Sequence, residues 1–178
     1  MYPVVRMAWQ MWRHRKEPAI GLLDEHVSAH ICWPWDLDIW AELNNGRTLT
    51  LFDLGRVPGL RRTGLFAVVR RQGWAMAVVG ASIRYRKRVL AFARITMRSR
   101  GLGWDDRFFY VEQSMWLSDG SCACHVLIRT AATDGNGIVG PARLVAELGW
   151  QGPPPPLPDW VNAWITAEAT RPWPPMQG

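Results

Sequence analysis

Hydrophobic and polar positions along this chain change period several times, and each change predicts a different element. Over residues 1–16, Val5, Ala8, Trp9 and Trp12 recur at helical spacing, which predicts an amphipathic helix packed on the rest of the chain or on a second subunit. Past Gly21 the period drops to two. Val27, Ala29, Ile31 and Trp33 then share one face and Ser28, His30 and Cys32 the other, as in a strand. From about Gly46 to Val57 a helix follows, N-capped by Asn44 or Asn45 and ended by Pro58-Gly59. Its Leu49, Leu51, Phe52 and Leu54 spread over more than one face, as in a helix wrapped by other structure.

The second half reads as strands. Residues 74–86 form a long one whose small centre, Gly80-Ala81-Ser82, lets a ligand or another backbone come close. Residues 92–100 alternate, with Arg94, Thr96, Arg98 and Arg100 on a side for solvent or an anion and Ala93, Ile95, Met97 and Ser99 on the other. Residues 107–117 and 121–130 make a hairpin across Ser118-Asp119-Gly120. One buried helix followed by long strands predicts an α+β fold with a mostly antiparallel sheet. The proline run from Gly152 to Pro158 should be extended. Asp159 to Glu168 should then form a short helix docked by Trp160 and Trp164, with residues 171–178 loose. Three segments result: an N-terminal amphipathic helix over 1–20, a domain over 21–150 and a proline-rich extension with a short helix over 151–178.

The length of 178 residues suits one domain with short extensions. No stretch approaches the ~18 apolar residues of a membrane span. The positive cluster Arg13-His14-Arg15-Lys16 follows the first apolar stretch, the reverse of a signal peptide, so a cytoplasmic location is expected. Trp beside that cluster gives the helix an alternative, a weak contact with a membrane surface. Three cysteines, Cys32, Cys122 and Cys124, have no framework spacing and suit a reducing compartment. Cys122 and Cys124 with His30 and His125 lack the spacing of a zinc site, so three buried thiols and no metal are expected. The net charge of +6 is uneven: residues 47–104 hold thirteen of the twenty-one Lys and Arg and a single acid, Asp53, and carry +12, against −6 for the remainder. A segment that basic attracts polyanions, among which coenzyme A, nucleic acid and an anionic membrane are candidates. No nucleic-acid motif accompanies it, and no nucleic-acid partner is expected.

Candidate chemistry lies between Trp33 and Arg56. Asp38 stands a few residues before an Asn-Asn-Gly turn that opens the central helix, where unpaired N–H groups favour developing negative charge. Glu42, four residues on, is a second acid/base candidate, and two poorly solvated carboxylates at that spacing push one pKa upward. Asp53 is placed to pair with Arg56. Asn44 and Asn45 serve as turn and cap residues whose amides can also hold water or substrate. Trp33, Trp35 and Trp40 flank Asp38 and can wall an apolar pocket.

The same run resembles the acyl-CoA thioesterases of the hotdog superfamily, in the 4-hydroxybenzoyl-CoA thioesterase-like group. These carry Asp-x-Asp, then Gly-His-(Val/Met)-Asn-Asn, an aromatic residue and an acidic residue in the central helix. Asp36-Leu37-Asp38, Leu43-Asn44-Asn45 and Asp53 keep the spacing, while Ala41-Glu42 replaces Gly-His and Thr48 replaces the helix tyrosine. The segments Gly80 to Arg86 and Gly103 to Tyr110 are also similar, in particular to the branch of thioesterase superfamily member six, and the likeness covers Val27 to Gly149.

The resemblance implies a hotdog fold, with a curved sheet around a central helix in a homodimer or homotetramer. It also implies hydrolysis of an acyl-CoA or acyl carrier thioester, with no cofactor beyond the coenzyme A of the substrate. Asp38 matches the nucleophile or general base, and the backbone N–H near Asn45 the donor to the thioester carbonyl, from across a dimer site. Ser82, Arg84, Arg86, Lys87 and Arg88, with Asn44 and Trp40, are the substrate-binding candidates, the basic ones for the coenzyme A phosphates. The missing histidine and tyrosine leave an alternative, a hotdog protein that binds an acyl thioester without cleaving it.

Overall fold

In the computed structural model, which describes residues 2–176, an antiparallel sheet curls around an 18-residue helix. Met1, Gln177 and Gly178, the tips of the expected terminal segments, lie outside the described residues. The elements run α1 (Val4–Arg13), β1 (His26–Ile31), α2 (Asn45–Arg62), α3 (Leu65–Arg71), β2 (Ala75–Tyr85), β3 (Arg94–Trp104), β4 (Phe109–Leu117), β5 (Cys122–Asp134), β6 (Gly137–Val139), α4 (Pro141–Glu147) and α5 (Asp159–Ala169). The sheet order is β1-β3-β4-β5-β2, with β6 added to β5 and every pairing antiparallel. This is the α+β hotdog architecture.

Helix α2 supplies the core. Its Leu51, Phe52 and Leu54 pack against Ile95, Met97, Val111, Met115, Val126 and Ile128 from the concave side of the sheet. The helix does not stop at Pro58-Gly59 but runs on to Arg62. Proline removes one backbone hydrogen bond, but packing overrides it here. Gly55 and Gly59, one turn apart, face β1 so closely that a Cβ on Gly59 would lie 3.1 Å from His26 Cβ, and one on Gly55 would overlap Met97.

Two short helices escaped the sequence reading. Helices α3 and α4 pack Leu65, Val68 and Val69 against Leu144 and Val145 over Trp104 and Phe109. Each has seven residues, too few to establish a helical period. On the opposite face of the sheet, α5 docks through Val161, Trp164 and Ile165 on Tyr110 and Leu127, while Trp160 stays half exposed at the rim.

The two edges of the sheet differ. Along β1, Arg6 Nη2 donates to the Ile31 carbonyl at 3.0 Å and Gln10 Nε2 to the Ala29 carbonyl at 3.0 Å, so α1 covers that edge with polar side chains. The expected apolar packing of α1 through Val5, Ala8, Trp9 and Trp12 is not what docks it. Those four residues face outward, and Arg6, Met7, Gln10 and Met11 face the domain, because the edge carbonyls of β1 need donors. At the far edge, β2 has no buried residue along its eleven positions.

Strand β1 buries its polar face, His26, Ser28 and His30, beneath α1 and α2. Burial, with the nearby His14 and Arg62, lowers the pKa of His26 to about 4. Burial, with Arg6 and His14, lowers that of His30 to about 3. Unfolding restores both toward ~6.5 and takes up protons, so their contribution to stability is complete above that pH and drains as the pH falls toward 4. Thermal melts between pH 7 and pH 4.5 should therefore show Tm falling below pH 6.5, with a slope of up to about 1.4 kcal/mol per pH unit per histidine. His30→Gln should flatten that slope, and a wild-type Tm that stays level over the range would contradict this account.

Candidate active site

Beyond β1 the chain makes a single 3-10 turn, Pro34–Asp36, that carries the Asp36 carboxylate out of solvent. Arg6 Nη1 and Arg47 Nη2 each donate to it at 2.7 Å, and Arg47 Nε at 3.2 Å. The Trp33 N–H adds a bond at 3.1 Å. Burial alone would raise the Asp36 pKa, but the hydrogen bonds from Arg47, Arg6 and Trp33 outweigh it and hold the carboxyl below its usual range. The Asn44 N–H then donates to the Asp36 carbonyl at 2.9 Å, so the turn and the start of α2 are fixed to each other.

Residues 37–43 form a small loop on this base. Leu37 bridges to Leu43, and the Asp38 N–H donates to the Glu42 carbonyl at 2.9 Å. At the tip, Asp38 Oδ1 accepts the Trp40 N–H at 2.8 Å, which orients the half-buried carboxylate. Among the described residues no donor holds its second oxygen. Arg88 braces the loop from the other side, donating from Nε to Glu42 Oε2 at 2.5 Å and from Nη2 to the Trp40 carbonyl at 2.9 Å.

Asn44 is the N-cap of α2. Its Oδ1 accepts the N–H groups of Gly46 at 2.9 Å and Arg47 at 3.2 Å, and its carbonyl accepts the Thr48 N–H at 2.9 Å and the Thr48 hydroxyl at 3.1 Å. Among the described residues the Asn45 N–H is thus the first-turn donor left for a ligand, with the positive end of the helix behind it. Before it opens a cleft of about 230 Å³ lined by Glu42, Leu43, Asn45, Thr48, Tyr85, Arg86, Lys87, Arg88, Val89, Met115 and Cys124. Burial raises the pKa of Cys124 to about 12 and that of Cys32 to about 11, so both stay thiols and neither is a nucleophile at neutral pH.

Of the candidates read from the sequence, Asn45, Glu42, Arg86, Lys87 and Arg88 meet at this cleft. Asp38 and Trp40 lie in the loop beside it and do not line it; Asn44 has its side-chain oxygen committed as a cap. Ser82 and Arg84 alternate with Ile83 and Tyr85 along β2 and so lie on its other face. Trp33 stacks on Trp35 with centroids 5.2 Å apart and lines a groove beside α1. Asp53 accepts from Arg56 at 2.5 Å, as its spacing predicts. Tyr85 was not singled out by the sequence reading. It donates to the Asn45 carbonyl at 3.4 Å, and its place on the Ile83 side of the strand was the available signal.

The cysteines and histidines do not converge. His30 bonds Ser28 and Gln10 inside, whereas His125 bonds Glu112 on the opposite face. Among the described residues the one grouping with metal-ligand character is His14, Glu17 and His26. There Arg62 bonds both His26 Nδ1 and Glu17 Oε2 at 2.9 Å, so a guanidinium already supplies the positive charge. A separate apolar cavity of about 50 Å³ lies at the other end of α2, near Leu60, Trp104 and Phe109.

With this fold and site in view, the chain belongs to the thioesterase-like superfamily, whose family model matches residues 32–165. It is similar to protein THEM6 of Xenopus laevis, 37% identical over 110 residues that make up 61% of this chain and 53% of that protein. It is also similar to protein THEM6 of Danio rerio, 32% identical over 115 residues, 64% of this chain and 57% of that one. The chain thus spans just over half the length of these curated relatives. Among solved structures, the probable thioesterase YbaW of Escherichia coli superposes with a TM-score of 0.65 at 20% identity, over 69% of this chain and 95% of its own. The DHNA-CoA thioesterase of Staphylococcus aureus does so with 0.60 at 14% identity, over 82% and 91%. Among the described residues, no helix is long and apolar enough to cross a membrane.

Ala41, in the loop between Asp38 and Glu42, has φ +56°, in the left-handed region where a Cβ is crowded. Ala41→Gly should therefore stabilise the protein by about 0.5–1 kcal/mol, the relief of strain being offset in part by the freer unfolded chain. Chemical denaturation reads this as a higher midpoint, and a lowered one would contradict it.

Proposed function

We propose that the protein hydrolyses an acyl-CoA or acyl carrier thioester to the free acid and thiol, without metal or cofactor. Its main support is a juxtaposition within a member of the thioesterase-like superfamily. An anionic side chain with one oriented and one open oxygen, Asp38, stands in the loop before a helix whose free first-turn N–H, on Asn45, opens into a cleft rimmed by Arg86, Lys87 and Arg88. The cationic rim suits the phosphates of coenzyme A, and the N–H suits a carbonyl oxygen that gains charge.

As nucleophile, Asp38 attacks the carbonyl carbon, the C–S bond breaks, the thiolate leaves and takes up a proton, and water hydrolyses the mixed anhydride. As general base, it takes a proton from the water that attacks in its place. Either route ends in the same acid and thiol. The open edge of β2 supports a homo-oligomer built by a second copy pairing there, which would bring a second set of Asn45 and Asp38 to the site.

One observation favours the non-hydrolytic alternative. Glu42, in the family histidine position, is bonded to Arg88, and the hydroxyl of Thr48, in the tyrosine position, is spent on the Asn44 carbonyl. A thiol-release assay over short, medium, long and aromatic acyl-CoAs, with acyl-pantetheines lacking the nucleotide, separates the two readings. Wild type should turn over at least one acyl-CoA and should lose efficiency on the matching pantetheine ester. Asp38→Ala should lower kcat on the order of 10³-fold with Tm unchanged. Undiminished turnover in that variant would remove Asp38 from the mechanism, and folded wild type that binds but never cleaves would leave the binder.

A further inference from the structure

Helix α1 is amphipathic the wrong way round for a helix held by its apolar stripe. Its polar and sulfur-bearing face docks: Arg6 on Asp36 and the Ile31 carbonyl, Gln10 on the Ala29 carbonyl, with the Met11 carbonyl accepting from Arg61. The opposite face is a continuous apolar stripe of Val4, Val5, Ala8, Trp9 and Trp12, with Val5 82%, Trp9 55% and Trp12 52% exposed. The indoles of Trp9 and Trp12 stack at 5.0 Å. The stripe continues across a groove to Ile31 and Trp33 on the adjoining chain.

Charge frames this surface on one side only. Arg13, Arg15 and Lys16 follow the stripe, all exposed, and Arg94 borders the groove. Arg15 lies over the Trp12 ring at 4.1 Å and donates to the Trp12 carbonyl at 2.7 Å, so the cation is held next to the indole. The acids beside it are spent: Glu17 bonds His14 at 2.6 Å and Arg62 at 2.9 Å, Asp36 is buried between arginines, and Asp53 pairs with Arg56.

We propose that α1 lies on anionic lipid bilayers, with Val5, Trp9 and Trp12 in the headgroup region and Arg13, Arg15 and Lys16 against the lipid phosphates. An exposed stripe of apolar side chains, two amphipathic indoles and a flanking cationic cluster match an interfacial helix. The helix sits at the β1 edge of the sheet, so an assembly built on the β2 edge leaves it uncovered. Because the domain holds α1 by hydrogen bonds from its other face, the stripe can enter a bilayer surface without α1 leaving the fold.

The full chain should co-sediment with vesicles of phosphatidylcholine and phosphatidylglycerol, and weakly or not at all with phosphatidylcholine alone. Trp9→Ser with Trp12→Ser should cut partitioning by roughly tenfold or more. Arg15→Gln with Lys16→Gln should cut it roughly fivefold per charge removed, as should added salt in the same direction. Circular dichroism and Tm, unchanged in both variants, separate this from unfolding. Folded wild type that stays in the supernatant with anionic vesicles would overturn the proposal, and so would undiminished partitioning of the tryptophan variant. A self-association that the tryptophan variant abolishes would also overturn it, by giving the face to a second copy.

Discussion

The Asp36 carboxylate, wholly out of solvent, ties three separate parts of the chain to one point: α1 through Arg6, the turn after β1 through Trp33, and α2 through Arg47. Two guanidinium groups face one carboxylate, so each pairing supports the other and the desolvation of the anion is offset on two sides. Removing the carboxylate would take from two partly buried guanidinium groups the anion they share, a loss on the order of 3–5 kcal/mol against a typical domain stability of 5–15. The loop bearing Asp38 starts at the next residue and runs to the N-cap of α2, whose N–H bonds the Asp36 carbonyl. The first acid of the Asp-x-Asp pair is structural, and it determines where the second can point.

The same economy explains the polar interior along β1. His26, Ser28, His30 and Gln10 occupy a layer that would ordinarily be apolar, and the close approach of α2 at Gly55 and Gly59 leaves no room for branched side chains there. Holding α1 by hydrogen bonds to strand-edge carbonyls follows from that choice, and it frees the apolar stripe of α1 to face outward. Core formation, edge protection and the outward stripe therefore share one cause, the polar contact between α1 and β1.

Much of this was legible in the sequence. Period two located β1 and β3, and the alternation of Arg94, Thr96, Arg98 and Arg100 against Ile95, Met97 and Ser99 correctly separated outer from inner face. The N-cap of α2, read as Asn44 or Asn45 and found at Asn44, and the Asp53–Arg56 pair followed from local spacing. Illegible were features set by distant residues. The end of α2 depends on β1 lying against Gly59, and the sidedness of α1 depends on the edge carbonyls of β1; neither is written within a few residues of the helix concerned. The +12 segment misled in the same way. Among the described residues, eight of its thirteen cations pair with acids, and seven of those eight acids lie outside the segment. Within the candidate site, Asp38 and Asn45 could be named from the motif, but the role of Tyr85 required knowing that the end of β2 passes the start of α2.

The central claim is that an acyl thioester is held at the N-terminus of α2, between the loop of Asp38 and the basic end of β2. The most direct measurement is amide hydrogen exchange on the full chain with and without a non-hydrolysable acyl-CoA thioether, which reports binding whether or not cleavage follows. Protection should rise over residues 38–48 and 84–89, with the Asn45 amide among the groups most slowed. Protection confined to the groove between α1 and β1, or to the far end of α2 around Leu60, would contradict it.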